Sequence, residues 1–201
     1  MSLTDEELVL AMIKWERKRQ RPTNRIISGG ASGADFEWSL AAAQARLEVE
    51  IMSFSGHARR VPAGCVVQEL SEAMLREVDQ ELEAVARGLN RKLPRPGYTR
   101  NLLRRNIHIV KHAKAVYAIT ELSKSGISGG TAWGCKYHAM FSPSPQLFVF
   151  DMATNKWMSY RDSMWAEQVP HSPQEFTDCA LIGSRELSEK GKDAIHSLFN
   201  L

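Results

Sequence analysis

Apolar residues along the chain alternate between short compact runs and longer stretches in which they recur every three or four positions. The short runs read as strands and the periodic stretches as helices. Strands are therefore expected over residues 25–28, 48–53, 115–119, 146–150 and 179–183, and helices over 4–19, 34–46, 69–88, 99–113, 131–140 and 188–199. The first helix carries its own start signal: Thr4 and Glu7 form a capping box, and Leu8, Met12 and Trp15 then share one face. Residues 56–66 read as loop, the proline-bearing residues 90–97 as a connection, and the turn-like residues before Trp157 as a hairpin closing the sheet. Strands alternating with helices imply an α/β architecture, a mainly parallel sheet with helices on both faces.

Two of the strand-to-helix turns are rich in small residues. Ser28-Gly29-Gly30-Ala31-Ser32-Gly33 leads from the strand at 25–28 to a helix whose first turn holds Asp35. Ser128-Gly129-Gly130-Thr131 follows the strand at 115–119 and opens the helix at 131–140. Without side chains in the way, backbone N–H groups at such a turn can converge on an anion, a phosphate above all. A tight loop with no guest is the alternative. In an open parallel sheet both turns lie at the carboxyl edge of the strands, where ligands gather.

Composition keeps the reading to one domain over residues 1–201, since a chain of this length with 43% apolar residues buries one substantial core. A formal charge of +3 is slight and does not by itself argue for nucleic acid. Local clusters hold more: residues 14–21 carry Lys14, Arg17, Lys18, Arg19 and Arg21, and residues 100–105 carry Arg100, Arg104 and Arg105. The first cluster better suits the solvated C-terminal end of a helix, where cations complement the dipole. Cys65, Cys135 and Cys179 are too scattered for a disulfide framework or a CxxC metal motif. No signal peptide and no apolar run approaching the ~20 residues of a membrane span is legible, so a soluble protein of the reducing cytoplasm is expected.

The glycine turn at 28–35, Arg105-Asn106 on a helix before the next strand, and Gly-Gly-Thr at 129–131 together resemble the Rossmann-like SLOG superfamily of SMF/DprA and LOG proteins. Within it the likeness is nearest to the YpsA-related branch and covers roughly residues 24–151. The resemblance implies a Rossmann-like fold and a nucleotide or nucleotide-derived ligand, with no cofactor required. Members commonly open with a strand ending in Gly-Ser-Arg. Here Gly183-Ser184-Arg185 stands near the C-terminus, before a helix-like segment, so residues 179–201 read as a circularly permuted first βα unit beside strand 25–28. The resemblance also suggests two other activities. One is nucleoside-monophosphate N-glycosidic hydrolysis of the LOG type, whose loop glutamate is missing after Thr131; Glu37 and Asp151 are candidate substitutes that nothing in the sequence places near the scissile bond. The other is single-stranded DNA binding like that of DprA.

The candidate ligand residues are thus Ser28, Gly29, Gly30, Ala31, Ser32, Gly33, Asp35, Arg105, Asn106, Ser128, Gly129, Gly130, Thr131, Ser184 and Arg185. Arg105 offers a guanidinium fork to a phosphate, Asn106 an amide to a base or sugar, and Arg100 and Arg104 a wider cationic surface. Asp35 either complements the helix dipole or shapes the loop or meets a ribose hydroxyl. Thr131 serves a cap or an anion, and Ser184 and Arg185 either join the ligand edge or are solvated. His57 is a further candidate at that edge. His108 and His112 have metal-pair spacing without the intervening Glu of HExxH and read as a solvated face, so no metal site is expected. Trp38 reads as core, Trp133 as core or as a base-stacking platform. The expected partner is a small nucleotide or its derivative, with nucleic acid disfavoured, no membrane, and self-association left open.

Overall fold

The computed structural model describes residues 25–123, 126–176 and 178–201. The helix expected at 4–19 and the basic cluster at 14–21 lie outside the described residues. Strands β1 (Arg25–Ser28), β2 (Glu48–Phe54), β3 (Val66–Leu70), β4 (Ala115–Thr120), β7 (Gln146–Asp151), β8 (Lys156–Arg161), β9 (Met164–Glu167) and β10 (Asp178–Gly183) build one eight-stranded sheet in the order β3-β2-β1-β10-β4-β7-β8-β9. Its pairings are parallel from β3 to β7 and antiparallel from β7 to β9. The short strands β5 (Leu122–Ser123) and β6 (Gly126–Ile127) form a separate hairpin. Helices are α1 (Ala34–Gln44), α2 (Glu72–Arg76), α3 (Asp79–Gly88), α4 (Tyr98–Val110), α5 (Thr131–Phe141) and α6 (Glu189–Ser197). This is the expected α/β, Rossmann-like arrangement.

Alternate residues of each central strand feed opposite layers, because successive side chains point to opposite faces. Ile26, Tyr117, Ile119 and Leu181 pack with Trp38 of α1 and Ile195 of α6. Ile27, Val116, Ala118 and Ile182 pack with Val85 of α3, Ile107 of α4 and Trp133 of α5. Trp38 is fully buried, its indole N–H donating to the Ile182 carbonyl at 3.1 Å. Small residues set the closest approach: a side chain at Gly183 would collide with Ala34 and with the Ile119 backbone, so α1 and β4 both press on the end of β10.

Three expectations change. The strand β3 occupies residues read as loop or as helix at 69–88, and α2 and α3 divide what remains of that helix. Ser71, whose side chain accepts the Met74 N–H, caps α2 and so forces the strand to end before it. Beyond the expected β7–β8 hairpin, β9 adds another antiparallel strand. Among the described residues no helix is long and apolar enough to cross a membrane.

β1 runs through α1 outward to β2, and β4 runs through α5 outward to β7, in opposite directions along the sheet. The strand between them, β10, pairs with β1 on one side and β4 on the other. Such a reversal leaves a crevice above the carboxyl ends of the central strands.

Candidate functional site

A cleft of about 550 Å³ opens at that reversal. The ends of β1 and β10 bring Ala31 and Asp35, and Ser184 and Arg185, to its wall, the β5–β6 hairpin beyond β4 brings Ser128 to Thr131, and α4 adds Arg105 and Asn106. Thr99, Leu102, Leu103 and Asn106 recur at helical spacing and turn one face of α4 to the cleft. Pro94, Trp133 and Ile182 extend this apolar side, and Glu186 stands on the rim.

The first glycine turn is not an open cradle. Asp35 is buried, and its carboxylate accepts the Gly183 N–H at 3.0 Å, the Ala31 N–H, and Nη1 of Arg105 at 3.2 Å. The anion at this turn is therefore the protein's own. Burial pushes the Asp35 carboxyl above its ordinary value, while Arg105 and the two amides pull it back. Burial likewise lowers the Arg105 guanidinium, which Asp35 opposes.

The glycines make room for this pair. A side chain at Gly29 would overlap the Arg105 guanidinium, and one at Gly33 would overlap the backbone of Arg185 and Ser184. Gly30, at φ +65, is closed off by Ile51 and the Arg60 carbonyl. The Ser28 hydroxyl is fully buried and donates to the Leu181 carbonyl at 2.7 Å, tying β1 to β10. Ser28, Gly29, Gly30, Ser32 and Gly33 are accordingly outside the cleft lining, and of this turn Ala31 and Asp35 reach it.

Arg105 also departs from the expected fork. Its Nη2 donates to Nε2 of His57 at 3.3 Å, and its Nε is buried without a hydrogen-bond partner. Because a guanidinium only donates, Nε2 accepts and the imidazole proton sits on Nδ1, 3.1 Å from the Ser53 hydroxyl. Burial, then the Arg105 and Arg59 charges, lowers His57 to about 4, so the ring is neutral at pH 7. Arg59 completes the network by donating to Ser53 at 3.0 Å. His57 is thus a support behind the cleft.

The second glycine turn is different. Ser128, Gly129 and Gly130 are exposed, and no protein atom lies where a Gly129 side chain would point. Two of their carbonyls are engaged: Gly130 O accepts from Asn106 at 3.2 Å, and Gly129 O from Arg91 at 3.1 Å. Among the described residues, the N–H groups of Gly129, Gly130 and Thr131 meet no protein acceptor. Arg185, exposed at the cleft wall, supplies the accessible cation.

Other expected groups lie elsewhere. Arg104 is buried against Asp79 at 2.7 Å, and Arg100 donates to the Pro94 carbonyl at 2.9 Å, so neither widens a cationic surface in the cleft. His108 is half-buried on the Met74 carbonyl rather than solvated. Glu37 accepts from His196 at 2.7 Å beneath α6, and Asp151 caps the turn after β7, so neither carboxylate is in the cleft. Trp133 is nearly buried but lines the cleft with one edge. Among the described residues no cluster of His, Cys, Asp and Glu suits a metal ion.

No protein-family model matches the chain, and no curated protein matches it in sequence. Among solved structures, it matches the crystal structure of a protein from Syntrophus aciditrophicus SB described as a candidate molybdenum carrier, at 14% identity and a TM-score of 0.52. The match covers 89% of this chain and 94% of the other, and at that identity it establishes a shared α/β fold.

Proposed function

We propose that the chain binds a small phosphorylated ligand, a nucleotide or nucleotide derivative, in the cleft above β10, as a binding or sensing module. One observation carries the reading: a single cleft joins an apolar wall on α4 to an exposed glycine turn and an accessible arginine, Arg185. Its volume of about 550 Å³ suits one small organic ligand. The SLOG likeness points the same way, and the pairing of β10 with β1 supports the permuted order of the Gly183-Ser184-Arg185 segment.

The alternatives have less support. Glycosidic hydrolysis needs a carboxylate at the scissile bond. Glu37 and Asp151 are committed to other contacts, Asp35 is held by three donors, and Glu186 sits on the rim. Single-stranded DNA calls for free cations along a track, whereas Arg100, Arg104 and Arg105 are turned inward. The neighbour's description adds one probe: molybdate, a tetrahedral oxyanion like phosphate, belongs in the same panel.

The experiment is a thermal-shift series with nucleoside mono- and diphosphates, cyclic nucleotides, an ADP-ribose-like compound and molybdate. A ligand at 100 times its Kd stabilises by about 2.7 kcal/mol, a shift of several degrees. No shift with any of them overturns the proposal. Release of free base favours the hydrolase instead, and steeply salt-dependent oligonucleotide binding favours the DNA reading.

A further inference from the structure

Arg91, outside the cleft, reaches across to the second glycine turn. Asn90, at φ +53, reverses the chain after α3, and the Arg91 N–H returns to the Ala86 carbonyl at 2.9 Å. This turn aims the Arg91 side chain across to the loop after β6. There Nη2 donates to the Ile127 carbonyl at 2.9 Å and Nη1 to the Gly129 carbonyl at 3.1 Å. One rigid guanidinium thus holds two carbonyls on alternate peptides of the turn.

A trans peptide is planar, so its C=O and the following N–H point in opposite directions. The carbonyl of Ile127 shares a peptide with the Ser128 N–H, and the carbonyl of Gly129 shares one with the Gly130 N–H. Arg91 is absent from the cleft lining and borders a separate depression with Arg87, Asn90 and Lys92. Ile127 stands opposite Leu122 at the outward-facing position of the β5–β6 pair, so the Ser128 N–H turns to β5, whereas drawing the Gly129 carbonyl to the outer side turns the Gly130 amide inward, toward the cleft that Gly130 lines. Asn106 holds the Gly130 carbonyl from α4, which anchors the third peptide.

We infer that Arg91 is a positioning residue, which from outside the cleft fixes the loop after β6 and orients the Gly130 amide as a donor for an anion. The inference rests on the proposed ligand reading. It adds that this donor is prearranged before the anion arrives, by a residue that no glycine motif marks. Lysine cannot replace this arginine, because an ammonium is a point charge and lacks the planar fork that spans two carbonyls.

The test uses the full chain, isotopically labelled, as wild type, Arg91→Ala and Arg91→Lys, titrated with inorganic phosphate and with AMP. The wild-type Gly130 amide proton is expected to move downfield on titration. Arg91→Ala is expected to bind roughly ten-fold or more weakly, the size of losing hydrogen bonds to a charged group. Arg91→Lys should recover little of this, and added guanidinium ion should restore binding to Arg91→Ala. That rescue separates orientation of the turn from general stability, which the melting temperatures of the three proteins report directly. Undiminished binding by Arg91→Ala, or wild-type binding that leaves the Gly130 amide unmoved, overturns the inference while the ligand reading stands. Should wild type bind neither probe nor any ligand of the wider series, the ligand reading fails and the inference with it.

Discussion

The two glycine turns share a composition and each opens a helix at the cleft edge of the sheet, one directly from β1 and the other after the β5–β6 hairpin that follows β4. Yet one is filled by the protein's own groups and the other is exposed. At residues 28–33 the small residues admit the protein's own ion pair, Asp35 with Arg105, and the backbone of residues 184–185. At residues 128–131 the carbonyls are tied back and the turn is exposed. Glycine therefore marks a close approach of something, and the rest of the structure decides whether that something is internal. The filled turn also gives the open one its counterpart, because it fixes Arg105 and the end of β10 against which a ligand would rest.

The comparison breaks most readily at the filled turn. Gly29→Ala and Gly33→Ala should each cost more than about 4 kcal/mol, since the new methyl overlaps Arg105 or the Arg185 backbone. Near-wild-type denaturation midpoints for both would show that the turn is not packed as described. Next in size is Asp35→Ala, which strands a buried guanidinium and should cost about 3–5 kcal/mol in urea unfolding. Asp35→Asn, which retains an acceptor for the Gly183 amide, should cost less.

Acid supplies an intermediate effect. His57 and His138 are each lowered by burial to about 4, below the ordinary value of 6.5. The unfolded chain then binds more protons than the folded one between those values. Stability is complete above about pH 6.5 and falls as the pH drops toward 4, with a slope of up to about 1.4 kcal/mol per pH unit for each imidazole. The raised Asp35 carboxyl acts in the opposite sense, so the contribution of His57 is best isolated by comparing wild type with His57→Gln. The variant should lose part of the pH dependence between 6.5 and 4 in urea midpoints, and an unchanged slope would remove His57 from the account.

The open turn should respond least in stability. Gly129→Ala adds a side chain at φ +63 into empty space and should cost only about 1–2 kcal/mol. Arg185→Ala should leave the unfolding midpoint within about 0.5 kcal/mol while weakening the best ligand of the thermal-shift series. A large loss of stability in either would assign these residues to the framework instead.

Most of the framework was legible because its signals are local. The runs at 25–28, 115–119 and 179–183 and the periodic stretch at 131–140 became β1, β4, β10 and α5 within a few residues. β3 escaped because it is an edge strand with half its residues outward, so Val66, Gln68 and Glu69 merge with the acidic helix that follows. Arg91 escaped for a different reason: its hydrogen-bonding partners lie 36 and 38 residues further on, and nothing in a basic, proline-bearing connection separates a structural arginine from a solvated one.

Sequence alone determined the alternation of strand and helix, the parallel sheet, and the two turns where side chains are absent, since short-range periodicity and glycine's freedom act within a few residues. Only the tertiary structure decided which turn is occupied. Asp35 and Arg105 stand 70 residues apart, and β10 closes on β1 from the far end of the chain. Filling a space by charge pairing and close packing depends on distance in three dimensions, and the order of residues does not encode that distance locally.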